Sequence, residues 1–258
     1  MSEIGFGIDI GGSGVKGAPV DISTGELLAE RVRIDTPRPS TPSAVAQTVA
    51  QLVSQFGSDV ATLPIGITMP CVVTNGITRT AANIDHAWIN HPAAETFAVA
   101  LGQEVTLVND ADAAGIAETH YGAAQGQSGL IILTTLGTGI GSAIIYNGVL
   151  VPNSELGHLE IGGRHAEKRA AASVRTQKSL SWKSYTRRLQ KYYSTLEFLF
   201  SPDLIVVGGG ISRDSEKFLP YLKLKAPIVP AQLRNQAGIV GAAWYAYHLQ
   251  KGTSNTQT

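Results

Sequence analysis

The sequence predicts an α/β protein built from two related domains, and three observations carry that prediction. Short apolar runs alternate with helical patterns along the chain, as they do where strands are separated by helices. A strand–glycine–strand unit occurs once in each half, at residues 6–20 and again at 130–146, without a close sequence repeat between them. The 258 residues suit one large domain or two of roughly 100–150 residues. The boundary is expected near Asp110, giving domains 1–110 and 111–258, with the last helix packing back on the first domain.

In chain order, Phe6 to Ile10 reads as a buried strand ended by Gly11-Gly12-Ser13-Gly14, and Val15 to Val20 as its return. Ser23-Thr24-Gly25 then turns the chain into a third strand, Glu26 to Arg33. After a Pro-rich loop, Val45, Val49, Leu52, Val53 and Phe56 share one helical face. Strands are expected at residues 65–68 and 105–108, and a helix at 111–121. The second half opens with strands at 130–135 and 140–146, joined through Leu136-Gly137-Thr138-Gly139. Trp182, Tyr185, Leu189, Tyr192, Leu196 and Leu199 mark a long amphipathic helix. Leu204 to Val207 is a strand running into Gly208-Gly209-Gly210, Ile239 to Leu249 a packed helix, and 252–258 a disordered tail.

Charged residues make up only 16% of the chain against an ordinary share of about 25%, which excludes a charge-rich disordered protein. The formal net charge is zero, which argues against a wholesale nucleic-acid or membrane-surface binder. One cysteine, Cys71, permits no internal disulfide and points to a reducing, cytoplasmic compartment. The first residues lack the pattern of a signal peptide, and no run approaches the ~20 apolar residues of a membrane span.

Gly12 to Gly17 matches the dinucleotide pattern G-x-G-x-x-G, but that fingerprint needs a helix opening among the glycines. Here Val15, Pro19, Val20 and Ile22 follow, so the unit reads as strand–turn–strand. Such a turn still presents backbone N–H groups to a phosphate, because no Cβ blocks the approach. Gly11, Gly12, Ser13 and Gly14 form the turn, Ser13 adds a hydroxyl, and Lys16 adds a cation. Asp9 at the strand end suits a Mg²⁺ held through its water shell. Thr135, Gly137, Thr138 and Gly139 repeat the device, and Gly208, Gly209 and Gly210 supply a third turn.

Taken together, Asp9 to Lys16, Leu136 to Gly139 and Val206 to Gly210 resemble the phosphate and adenosine-side motifs of the actin/hexokinase-like superfamily. Asn109-Asp110-Ala111-Asp112-Ala113-Ala114-Gly115 and Glu155-Leu156-Gly157-His158 narrow the resemblance to the ROK family of sugar kinases and repressors. The likeness spans nearly the whole chain. It implies two actin-like (ribonuclease H-like) domains around a central cleft. The family's repressors carry a helix-turn-helix domain before the first strand, and this sequence leaves no room for one. Many members also follow the motif's histidine with C-x-C-G-x-x-G-C-x-E, a zinc segment. Residues 161–170 hold no cysteine, and His158, Glu160 and His165 are a poor substitute for four ligands, so no zinc is expected. In this the chain resembles the polyphosphate/ATP glucokinases and glucomannokinases of the family.

The resemblance implies roles by position. Asp110 is the general base for the sugar hydroxyl, and the sugar contacts are Asn83, Asn109, Asp110, Glu155, His158 and Glu167. Read without the family, Asp110 is a helix cap, Asp112 a first-turn dipole residue and Glu167 a surface carboxylate. Between Arg164 and Lys191, nine basic residues face one acid, Glu167, so the segment carries +8 and the remainder −8. Lys183, Arg187 and Arg188 are the candidate track for a polyphosphate, although a charge run is more often a solvated helix face. The reading is a phosphotransferase moving phosphate from polyphosphate or ATP to glucose or mannose, without nucleic acid or membrane partners. The family leaves homodimer and monomer open. The alternatives are an ATP-only glucokinase, an N-acylmannosamine kinase, and a sugar-responsive nucleic-acid-binding regulator.

Overall fold

A computed structural model describes residues 3–82 and 84–254. Backbone contacts divide the chain into two units: one runs through Ala117 and resumes at Gln236, the other is Glu118–Asn235. Asp110, the expected boundary, opens the helix within which the division falls.

The first unit comprises β1 (Ile4–Gly11), β2 (Gly14–Asp21), β3 (Val32–Ile34), α1 (Pro42–Ser54), β4 (Ile65–Met69) and β5 (Val73–Thr74), then β6 (Ile77–Thr78), α2 (Ala93–Leu101), β7 (Val105–Asn109) and the start of α3 (Asp110–Tyr121). Its main sheet has the order β3-β2-β1-β4-β7, antiparallel through β1–β3 and parallel across β1, β4 and β7. Every residue of β4 is buried, the hydroxyl-bearing Thr68 included, as in a parallel strand covered on both faces. Pro42 occupies the first turn of α1, Thr41 caps it by accepting from the Ala44 amide, and Val45, Val49 and Leu52 enter the core.

The third strand is shorter and later than predicted. Leu28 donates to the Pro19 carbonyl, but Pro19 has no N–H to return, so a continuous ladder forms only where Val15, Lys16 and Gly17 meet Ile34, Arg33 and Val32.

The second unit repeats the plan with β8 (Leu130–Leu136), β9 (Ile140–Tyr146), β10 (Val149–Val151), α4 (Glu167–Ala170), α5 (Ala172–Gln177), α6 (Trp182–Phe200), β11 (Leu204–Gly208) and β12 (Ile228–Pro230). Its sheet order is β10-β9-β8-β11-β12, again three antiparallel strands followed by parallel neighbours. Ser181 caps α6, which buries Tyr185, Leu189, Tyr192, Tyr193 and Leu196 on one face. The basic residues fall on the remainder of that helix.

The chain ends in α7 (Ala237–Ser254), which packs on β1 and β4 of the first unit. A Cβ at Gly7 or Gly66 would run into the α7 backbone at Ile239 or Ala242, so these two glycines let helix and sheet meet backbone to backbone. The helix continues to Ser254, so residues 252–254, expected in a disordered tail, are helical; residues 255–258 lie outside the described residues. No helix among the described residues is long and apolar enough to cross a membrane.

Candidate active site

The β1–β2 hairpin places the first glycine turn. Gly11 pairs with Gly14, leaving Gly12 and Ser13 exposed at the tip. Register sets Asp9 opposite Lys16, and their side chains meet at 3.2 Å. The second Asp9 oxygen accepts from the Thr68 hydroxyl at 3.0 Å, and Thr68 in turn accepts from the Ile10 amide. The Asp9 carboxylate is therefore held by a buried threonine on β4, a partner the sequence did not suggest. Arg33 donates to the Ser13 carbonyl and Thr36 to the Gly11 carbonyl, pinning the turn from outside.

At the end of β7, Asn109 is buried and does two structural jobs. Its Nδ2 donates to the Cys71 carbonyl at 3.1 Å, while its Oδ1 accepts from the Ala111 and Asp112 amides. Asn109 is thus the side chain that caps α3. Asp110, exposed as the first residue of that helix, also accepts from the Ala111 amide. Nearby, Trp88 is fully buried and donates to the Ser40 carbonyl, which anchors the loop after β6. Asn83 belongs to that loop but lies outside the described residues.

In the second unit, Thr135 is the next-to-last residue of β8, and Gly137, Thr138 and Gly139 lead from its end into β9. Ser173 on α5 holds this turn by donating its amide to Gly137 and its hydroxyl to Thr138. Gly208 pairs with Thr135 across parallel strands, and Gly209, at φ +80°, lies so close to Leu136 that any Cβ would strike its backbone. The second and third glycine turns therefore adjoin within this unit, with Gly210 exposed beside them.

Glu155, His158 and Glu167 come together in the same unit. The His158 ring nitrogens lie 3.9 Å from a Glu155 oxygen and 4.0 Å from a Glu167 oxygen. Gly157 is what permits this loop, because a Cβ there would meet the Ile140 carbonyl of β9. Ser142 steadies it from β9 by accepting from the Leu156 amide. Burial holds the Glu155 carboxyl above its usual range; His158 opposes that shift and Glu167 adds to it. A Glu167 oxygen stands 2.6 Å from where a Gly139 Cβ would be, so the acid beside His158 also borders the phosphate turn.

His158, His165 and Glu167 offer ligand atoms within 4.8 Å of one another. The set expected from sequence has Glu160 in this place; the first turn of α4 brings Glu167 to His158 instead. Three such ligands fall one short of a closed tetrahedral site.

Of the basic segment, Arg175 lies over the Trp182 ring at 3.7 Å, so it is committed to packing. Lys183 and Arg187 are exposed on α6, and Arg188 donates to the Arg169 carbonyl, tying α4 to α6. Between these helices lies a cavity of about 200 Å³, lined in part by Arg169, Arg187, Arg188, Lys191 and Tyr192. Arg169, Lys191 and Tyr192 were not singled out from sequence; only their share in the basic run and the helical stripe pointed to them.

Two α/β units of one topology, each with a glycine turn on its first hairpin, define an actin-like, ribonuclease H-like protein. The chain belongs to the ROK family, whose sequence model matches residues 5–173. It is 51% identical over 240 residues to the polyphosphate glucokinase of Mycobacterium tuberculosis, covering 93% of this chain and 89% of that protein. The glucokinase of Streptomyces coelicolor is 26% identical over 310 residues, covering 92% and 96%. Among solved structures, the inorganic polyphosphate/ATP-glucomannokinase of Arthrobacter sp. strain KM matches with a TM-score of 0.91 at 50% identity, covering 96% of this chain and 99% of that one. A ROK family glucokinase from Streptomyces griseus shares the fold, with a TM-score of 0.79 at 24% identity over 95% and 99% of the two chains.

Proposed function

We propose that this chain transfers a phosphoryl group from inorganic polyphosphate or ATP to the 6-hydroxyl of glucose, and of mannose. The observation that carries the reading is the convergence of Glu155, His158 and Glu167 beside Gly139 of a phosphate turn. A sugar presents several similar hydroxyls, and fixed carboxylates and an imidazole tell them apart by position. Half-identical relatives that act on glucose with polyphosphate support the same choice of substrates. The single cysteine and the soluble-type composition agree with a cytoplasmic setting.

In this reading Glu155, His158 and Glu167 bind sugar hydroxyls, together with Asn83 and the second amide hydrogen of Asn109. Asp110 takes the proton of the 6-hydroxyl as that oxygen bonds to phosphorus and the bond to the departing phosphate chain or ADP breaks. An ordinary Asp, with a pKa near ~3.9, is a weak base for an alcohol. That suffices because phosphoryl transfer is loose and depends mainly on positioning and charge stabilisation. Gly11, Gly12, Ser13, Gly14 and Lys16, with Thr135, Gly137, Thr138 and Gly139, cradle the donor phosphates, and Gly208, Gly209 and Gly210 flank a nucleotide donor.

Kinases of this kind work with a divalent cation, which neutralises charge on the donor phosphates. Asp9 fits Mg²⁺ in the outer shell: both its oxygens already have protein partners, and Mg²⁺ usually keeps several waters. Lys183, Arg187 and Arg188 form the track for the polyphosphate.

The test is sugar phosphate formation from glucose, mannose and N-acetylmannosamine, each with ATP or long-chain polyphosphate. Turnover of glucose and mannose with both donors is expected. Turnover with ATP alone would remove polyphosphate. A protein that shifts DNA in a salt-dependent manner with no turnover of any pair would be a regulator instead.

A further inference from the structure

We propose that the cavity between α4 and α6 is an anchor subsite for a phosphate unit of the polyphosphate chain, apart from the unit being transferred. This rests on the donor reading above and adds a defined site to it. Arg169, Arg187, Arg188 and Lys191 supply four cations to the cavity wall, and no acid lines it. None of the four is in an ion pair among the described residues. Like charges gathered without a counter-charge repel one another, and a polyanion removes that repulsion. The space is far above the ~10–15 Å³ that admits one water, so a phosphate group enters without displacing protein.

Two further observations point to a ligand. Tyr192 lines the cavity and is buried, yet its hydroxyl has no hydrogen-bond partner among the described residues. Buried hydroxyls nearly always have one, so this donor is left unused by the protein's own acceptors among the described residues. Burial, reinforced by Tyr193, pushes the phenol's pKa up and keeps it protonated as a donor. The second observation is Gly162, in the left-handed region at φ +62°. A Cβ there would lie 3.3 Å from the Lys191 ammonium and 3.7 Å from an Arg169 nitrogen, so the two head groups converge over bare backbone.

A polyphosphate fits better than a lone phosphate or a nucleotide. Lys183, Arg187 and Lys191 recur every fourth residue of α6, placing a cation about every 6 Å along the helix for a linear anion to follow. At the other end, Arg169 stands two residues after Glu167 on α4, the residue that borders the Gly139 turn. A donor chain lying along α6 is therefore led toward the phosphate turn of the same unit. A nucleic-acid backbone would offer the same charge, which makes DNA the competitor to include.

The experiment compares the full chain with the Arg169→Gln/Lys191→Gln double variant and with Tyr192→Phe. Glucose phosphorylation is followed with ATP and with long-chain polyphosphate, and polyphosphate binding is measured separately by calorimetry. The double variant should raise KM for long-chain polyphosphate about tenfold, leave KM for ATP unchanged, and flatten the salt dependence of binding by about two in log–log slope. Tyr192→Phe should raise the polyphosphate KM without lowering Tm, since the hydroxyl has no partner among the described residues. Unchanged polyphosphate KM in both variants would overturn the anchor, as would equal losses with the two donors. DNA competing as well as polyphosphate would reassign the cavity. A parent protein that binds polyphosphate through this cavity but never turns it over would sink the donor reading alone.

Discussion

Asn109 and Asp110 adjoin in sequence but do different work. Asn109 spends its amide on the Cys71 carbonyl and the α3 cap, which leaves Asp110 at the helix start without sole responsibility for capping. Asp110→Asn should therefore lower kcat by about 10²–10⁴-fold while Tm stays near the parent value; a near-normal rate would refute its role as base. Glu155 makes a sharper case. Its pKa is raised in the folded protein, so its contribution to stability is present below the ordinary carboxylate range and lost as pH rises through the raised value. At neutral pH the raised carboxyl of the part-buried Glu155 thus costs the fold stability. Glu155→Gln should melt higher than the parent at about pH 7, with the gap closing toward about pH 4, while KM for glucose rises sharply. A variant less stable at neutral pH would contradict that sign.

Among the elements, α7 meets β1 and β4 through bare backbone. Gly66→Val should destabilise the chain by about 3 kcal/mol or prevent folding, since the α7 backbone cannot yield as a flexible side chain would; chemical denaturation would measure the loss. The long periodic elements β1, β2, β8, β9, α1 and α6 were legible in sequence because pattern and burial largely agree in them, with two corrections: Leu199, expected on the apolar stripe of α6, is exposed in its last turn, and Phe56 lies past the end of α1. The third strand was not, because its length depends on which backbone N–H groups a neighbour offers, and Pro19 offers none. The two-residue strands β5 and β6 and the short β12 are too brief to show a period. The glycine turns and the acids around His158 were legible as motifs. The cavity was not, since Arg169 and Lys191 lie on different helices and Tyr192 reads as an ordinary core aromatic.

For the molecule as a whole, zero net charge conceals a segment of +8 and a remainder of −8. The +8 belongs to the α4–α6 region, where one helix face carries cations and the other the core. Counterion release then makes polyphosphate use salt-sensitive. At subsaturating donor, the polyphosphate-supported rate should fall more steeply between about 50 and 200 mM salt than the ATP-supported rate. Equal slopes would return the cations to a solvated face. Replacing Lys183, Arg187 and Arg188 by Ala should likewise cost polyphosphate turnover more than ATP turnover.

The proposed transfer runs from polyphosphate directly to the sugar 6-hydroxyl, without a nucleotide intermediate. Nucleotide-free protein, glucose, Mg²⁺ and long-chain polyphosphate can be followed together by phosphorus NMR. The predicted result is glucose 6-phosphate growing in as the polyphosphate shortens, with no signal when Asp110→Asn replaces the parent. Sugar phosphate that forms only after ATP or ADP is added would contradict it.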